Sequence, residues 1–203
     1  MSDSAVVLAA GRSLRMGEQK LALTLGDRTL LGTVLHHLSQ ASLDEVICVL
    51  RPGADELAKI AQQAGVKVTR NLLPGRGKTS SIKAGLRALH PETETVIIVP
   101  GDMPFLLPET FERVGRAACE AQSGVAVACY RGRRGHPVAF HQSRFCDILA
   151  LSDDDPLYTL TRGKVTHLDL DDPGILININ TPQQYEEACG RIGLPFTCKQ
   201  ERS

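Results

Sequence analysis

Val6-Val7-Leu8-Ala9-Ala10-Gly11-Arg12-Ser13-Leu14-Arg15-Met16-Gly17, with Lys20 three residues on, is the stretch that decides the fold. An apolar strand runs directly into a loop carrying two glycines, two arginines, a serine and a lysine. Glycine lets backbone N–H groups approach an anion closely and tolerates positive φ. Arg12, Arg15 and Lys20 put three cations within nine residues, where a triphosphate brings about four negative charges. The pattern reads as a polyanion cradle at the end of a first strand. A dinucleotide fingerprint is excluded, since G-x-G-x-x-G needs glycines that this loop lacks. A plain strand-to-helix turn accounts for the glycines but not for the cations.

The rest of the chain repeats the strand-then-helix rhythm. Strand-like Ala5–Ala9, Glu45–Leu50, Val66–Thr69 and Thr95–Pro100 precede helical patterns near Thr29–Gln40, Ala54–Ala64, Ser80–Leu89 and Pro108–Gln122. Continuous apolar strands separated by helices predict an α/β fold: a three-layer αβα sandwich around a Rossmann-like, mostly parallel sheet. After residue 124 the rhythm changes. Val125–Tyr130 and Pro137–Phe140 flank a hairpin turn expected over Arg131–Gly135; Val165–Leu170 and Ile175–Ile177 read as strands and Pro182–Cys189 as a last helix. The 203 residues suit one domain, with a nucleotide-binding half over about 5–124 and an acceptor half over about 125–190.

Lys+Arg and Asp+Glu both number 23, so the net charge is zero. That argues against nucleic acid as a partner. The positive charge is local, at residues 12–20 and 131–134, which suits a small anionic ligand. No apolar run reaches membrane-spanning length and the start is short and polar, so neither a membrane partner nor an export signal is expected. The six cysteines form no C-x-x-C pair, and Cys48 and Cys129 read as small core residues in a reduced cytoplasm.

Ligands of open α/β sheets bind outside the carboxyl ends of the strands, which selects residues 10–20, 70–81, 101–104 and 178–181. Pro100-Gly101-Asp102-Met103-Pro104 sets a carboxylate at a strand end, suited to Mg²⁺ or to a simple turn. In Ile177-Asn178-Ile179-Asn180-Thr181-Pro182, alternation puts Asn178 and Asn180 on one face, and Thr181 is a cap for the helix that Pro182 opens. Gly77-Lys78-Thr79 mimics the end of a P-loop, but the glycine required five positions earlier is Leu72. Ser80 and Ser81 read as caps of the following helix, whose free N–H groups suit a base edge or a phosphate. Arg133-Arg134-Gly135-His136-Pro137-Val138 reads either as a solvated tip or as a receptor for a phosphate-bearing acceptor.

Taken together, LAAGRSLRMG…K, GDMP, the loop ending G-x-x-S-S-I, R-x-G-H-P and N-x-N-T-P resemble the molybdenum cofactor nucleotidyltransferases, a branch of the nucleoside-triphosphate transferases, over residues 5 to about 190. The resemblance implies transfer of an NMP unit from an NTP to the terminal phosphate of molybdopterin, with release of pyrophosphate. Nucleotide contacts would fall on Leu8, Ala9, Ala10, Gly11, Arg12, Ser13, Arg15, Lys20, Asn71, Gly77, Ser80, Ser81 and Asp102. Asp102, Lys20 and Arg15 would carry catalysis, Asp102 and Asn180 would hold Mg²⁺, and Arg133, Arg134 and His136 would receive the acceptor. A molybdoenzyme or its insertion chaperone is the implied protein partner. Ala10, GHPV and SSI favour the CTP-using branch; Asn-Ile-Asn-Thr-Pro resembles the GTP-using branch. A sugar phosphate or other phosphorylated acceptor, or a binding module without turnover, are the alternatives.

Overall fold

The computed structural model describes residues 2–11 and 19–191. Its strands are β1 (Asp3–Leu8), β2 (Thr24–Leu25), β3 (Arg28–Thr29), β4 (Glu45–Leu50), β5 (Lys67–Arg70), β6 (Thr95–Pro100), β7 (Val125–Tyr130), β8 (Arg133–His141) and β9 (Thr166–Asp169). Its helices are α1 (Leu30–Gln40), α2 (Asp55–Gln63), α3 (Lys78–Leu86), α4 (Pro108–Glu120), α5 (Phe145–Ala150) and α6 (Pro182–Arg191). Seven strands make one sheet in the order β5-β4-β1-β6-β8-β7-β9, and β2 pairs with β3 apart from it. β5, β4, β1 and β6 run parallel. β8 is antiparallel to both of its neighbours, and β9 joins parallel to β7.

Period-two alternation sorts the strands onto two faces. Ala5, Val7, Cys48, Leu50, Ile97, Val99, Ala126 and Ala128 pack against residues of α1, α2, α4 and α6. Val6, Ile47, Val49, Val96, Ile98, Val127, Val138 and Phe140 pack against residues of α3 and α5. Both faces are buried, which is why the strands read as continuous apolar runs. The expected α/β sandwich with a mostly parallel sheet is what forms. α3 comes close to the sheet because of Gly85, where a Cβ would lie 2.3 Å from Val6.

Two expectations are corrected. The hairpin turn is the dipeptide Arg131-Gly132, with φ of 50° and 74°, so Arg133 and Arg134 already belong to β8. Positive φ at both positions matches the twist of the flanking strands. Ile175–Ile177 is not a strand; Pro173–Leu176 form a 3-10 turn capped by Asp172, whose carboxylate accepts from Gly174 N at 2.8 Å.

Cys48 and Cys129 are buried as expected, and burial pushes the Cys48 thiol up to about 12; Cys198 lies outside the described residues. Among the described residues no helix is long and apolar enough to cross a membrane.

Candidate active site

The carboxyl ends of β1, β4, β5 and β6 open on one edge of the sheet, and three segments distant in sequence meet there. β6 ends in Pro100, and Gly101 N then donates to Leu8 O at 3.0 Å. A Cβ on Gly101 would sit 3.0 Å from that same oxygen, so glycine allows the close approach of the two strand ends. Asp102 follows; its own carbonyl accepts from Ile179 N at 2.9 Å, which ties the segment before α6 to the end of β6. Ile179 is buried, so Asn180 turns back toward Asp102. Asn178 is exposed.

Lys20 reaches the same point from the other side. It opens a 3-10 turn (Lys20–Ala22) anchored by buried Leu21. Its ammonium donates to Asp102 Oδ2 at 2.8 Å and to Asn180 Oδ1 at 3.1 Å. Lys20 is only 8% exposed, so these two oxygens replace most of the water it would hold in solution. Two oxygens from different segments thus converge on one cation. Asn180 is fixed further by Gln184, whose Oε1 accepts from Asn180 N at 2.7 Å and from Thr181 N at 3.1 Å. Thr181 Oγ1 accepts from Gln184 N in return at 3.2 Å. This reciprocal arrangement is a capping box; Thr181 caps as expected, and Gln184 is a contributor that the T-x-x-Q spacing could have revealed.

The loop after β5 is organised from within. Asn71, 4% exposed, donates from Nδ2 to Ser80 Oγ at 2.8 Å and to Ser81 Oγ at 2.9 Å, and its Oδ1 accepts from Leu73 N at 2.8 Å. Ser80 and Ser81 are not the caps expected of them. α3 begins two residues earlier, at Lys78, with Gly77 in the capping position at φ +91°. Ser80 Oγ donates to Leu73 O or Gly77 O, so both hydroxyls hold the loop shape.

His136 lies on β8 just before the residues that pair with β6, near enough to Asp102 to feel its charge. His136 Nδ1 is enclosed and has no hydrogen-bond partner among the described residues. Burial, reinforced by the positive charge of Lys78 and only partly offset by Asp102, lowers this imidazole to about 4. It is therefore neutral at pH 7 and offers one N–H and one lone pair. Lys78 was passed over in the sequence because its Gly-Lys-Thr context is a failed P-loop; a cation at the first position of a helix at the sheet edge was the available signal. Gly135 lets β8 lie against the 173–176 turn, since a Cβ there would sit 2.2 Å from Ile175 O. Arg133 and Arg134 stand exposed further along β8, and Arg134 Nη2 donates to Thr161 O at 2.8 Å.

Of the predicted residues, Lys20 contacts both Asp102 and Asn180, and His136 feels the charge of Asp102. Ala9 N bonds to Val49 O at 3.0 Å, Ala10 is buried and Gly11 is exposed. Arg12, Ser13 and Arg15 lie outside the described residues.

Known proteins share this arrangement of chain. The molybdenum cofactor cytidylyltransferase of Escherichia coli is 24% identical over 183 residues, 89% of this chain and 92% of its own length. A molybdenum cofactor guanylyltransferase from Rhizobium johnstonii is 36% identical over 66% of this chain and 59% of its own. A 2-C-methyl-D-erythritol 4-phosphate cytidylyltransferase from Pelotomaculum thermopropionicum is 32% identical over 57% and 51%. The crystal structure of a manganese complex of Rv0371C from Mycobacterium tuberculosis superposes with a TM-score of 0.79 at 25% identity, covering 95% of this chain and all of that one (100%). The model of the MobA-like NTP transferase domain matches residues 5–170, and the chain belongs to that family of nucleotidyltransferases.

Proposed function

We propose that this protein transfers an NMP unit, CMP by preference, from an NTP to the terminal phosphate of a molybdopterin-type acceptor and releases pyrophosphate. The observation that carries the reading is the convergence of Lys20, Asp102 and Asn180 on one point at the carboxyl edge of the sheet. The Escherichia coli cytidylyltransferase, which matches nearly end to end, supports a molybdopterin-type acceptor. Ala10, in LAAG, favours CTP, because a methyl there narrows the room for a purine.

The donor set fits a divalent ion. Asp102 Oδ2 and Asn180 Oδ1 already meet on one cationic nitrogen, and Mg²⁺ needs only one or two protein oxygens when phosphates and water complete its shell. Asp102 and Asn180 would hold it, and when bound it neutralises phosphate charge. Everything else falls to the chain. Lys20, with Arg15, holds the leaving pyrophosphate by charge-assisted hydrogen bonds. Residues 10–13 and the loop Asn71–Ser81 receive the nucleotide. Neutral His136, with Arg133 and Arg134, receives the acceptor. The acceptor phosphate is already ionised near pH 7, so no general base is required. Catalysis is positioning of two anions plus electrostatic stabilisation of an in-line displacement.

The test is pyrophosphate release with molybdopterin-type cofactor and Mg²⁺, supplying CTP, GTP and ATP separately. Release with CTP is expected. Release with GTP instead would favour a second reading, supported by the Asn178-Ile179-Asn180 segment and the Rhizobium johnstonii relative. Nucleotide binding without release would overturn the acceptor, in favour of another phosphorylated acceptor or a binding module.

A further inference from the structure

The segment between α5 and β9 carries Asp153-Asp154-Asp155, an acidic run that the proposed chemistry leaves unused. It is docked on the first turns of α3. Lys83, 8% exposed, donates to Asp153 Oδ1 at 3.0 Å and also to Leu151 O. Thr79, 1% exposed, donates from Oγ1 to Asp155 O. Gly77 lies so close that a Cβ would sit 2.8 Å from Asp153 O, and Arg76 Nη1 stands 4.0 Å from Asp153 Oδ2. The segment braces itself, with Ser152 N donating to Asp155 Oδ2 at 2.9 Å and Asp155 N to Ser152 O at 3.1 Å. Downstream, Thr161 O accepts from Arg134 at 2.8 Å, so the far end is pinned as well.

The segment Asn71–Ser81, a loop running into the first turn of α3, is therefore latched twice. Asn71 holds it from inside, and the segment 151–155 holds it from outside through Lys83, Thr79 and Gly77. Lys83 lies on the face of α3 whose neighbours, Ile82 and Leu86, enter the apolar core. An aliphatic side chain there would avoid the desolvation of an ammonium, so a buried ion pair is a costly way to gain stability alone. What the pair does supply is a fixed distance and direction between a remote segment and the loop.

We infer that Asp153 and Lys83 are positioning residues for the nucleotide: their ion pair sets the conformation of Gly77–Ser81, the capping glycine and first turn of α3, from outside the site. The inference rests on that loop receiving the nucleotide. It predicts an effect on nucleotide affinity rather than on the chemical step. Asp153→Asn keeps the volume and an acceptor oxygen for Lys83 but removes the charge. Loss of one charge-assisted contact should weaken nucleotide binding about ten-fold.

The experiment measures binding of non-hydrolysable CTP and GTP analogues by calorimetry, KM and kcat by pyrophosphate release, and amide exchange of residues 71–81, in wild type, Asp153→Asn and Lys83→Met. Weaker analogue binding and a raised nucleotide KM are expected, with kcat at saturation within about two-fold. Exchange should accelerate in residues 71–81 while β1 and β6 stay protected. Unchanged analogue affinity in Asp153→Asn, with wild type binding normally, would overturn the inference alone. So would a lower kcat at unchanged affinity. Wild type that binds neither analogue would overturn the reading of the loop itself, and this inference with it. Asp153→Asn keeps the test decisive if Lys83→Met does not fold.

Discussion

Replacing Asp102 by asparagine keeps the side-chain volume and an acceptor oxygen but removes the charge that faces Lys20 at 2.8 Å. Turnover should fall by about 10²–10³, as for loss of a preorganised electrostatic contact, with the melting temperature little changed; steady-state pyrophosphate release and a thermal melt check both. Asp172 is the opposite case. It is 2% exposed and accepts from Leu107 N, Thr110 Oγ1 and Gly174 N at 3.0, 2.6 and 2.8 Å. Asp172→Ala would strand these donors and cost about 2–4 kcal/mol in a urea titration. His136 gives a pH signature. Its imidazole titrates at about 4 when folded and near 6.5 when unfolded, so only the unfolded chain takes up the proton in between. Stability should therefore decline as pH falls from about 6.5 to about 4, and His136→Gln should flatten that decline in melts at pH 5 and 7.5. Asp102 drew notice because its carboxylate follows an apolar strand within a GDMP run and beside the cation-rich first loop, and the structure brings Lys20 to it. Asp172 was not, because two of its three partners, Leu107 and Thr110, lie 65 and 62 residues away in sequence and nothing local marks them.

Elements were easiest to read where both faces are buried. The runs Glu45–Leu50, Thr95–Pro100 and Val125–Tyr130 are strands with the boundaries that their sequences suggest. The hairpin was harder, because its turn uses Arg-Gly rather than the Asn-Gly or Asp-Gly pair that usually announces φ > 0 at both positions. Ile175–Ile177 misled for another reason: the β-branched run is overridden by Pro173, Gly174 and the Asp172 cap. The serines of α3 misled because Gly77 takes the capping position and their partner, Asn71, lies at the far start of the loop. Two predictions belong to this scale. Gly135→Ala should force β8 away from the 173–176 turn, where a Cβ would stand 2.2 Å from Ile175 O; overpacking of this kind costs about 1–3 kcal/mol, and a melt measures it. Gln184→Ala removes half of the capping box and should cost about 1 kcal/mol, while raising KM because Asn180 loses its anchor.

Across the whole molecule the sheet does not respect the change of rhythm after residue 124. β8 inserts between β6 and β7, pairing Val96 with Phe140 and Val125 with Phe140 from its two sides. A fragment ending at residue 124 would leave β6 as an open apolar edge and should aggregate rather than give a folded monomer on gel filtration. The strand-and-helix rhythm announced the architecture, but the insertion of β8 was invisible because pairing partners are a property of topology, not of either strand alone. The meeting of Lys20, Asp102 and Asn180 across 82 and 160 residues has a consequence for synthesis. The parallel strands β1, β4, β5 and β6 are all made by residue 100, yet the last oxygen of the cluster arrives only at residue 180. A chain released after β8 but before residue 180 can hold the centre of the sheet without the cluster proposed to carry its chemistry. On the proposed function, copies that stop before residue 180 should release no pyrophosphate.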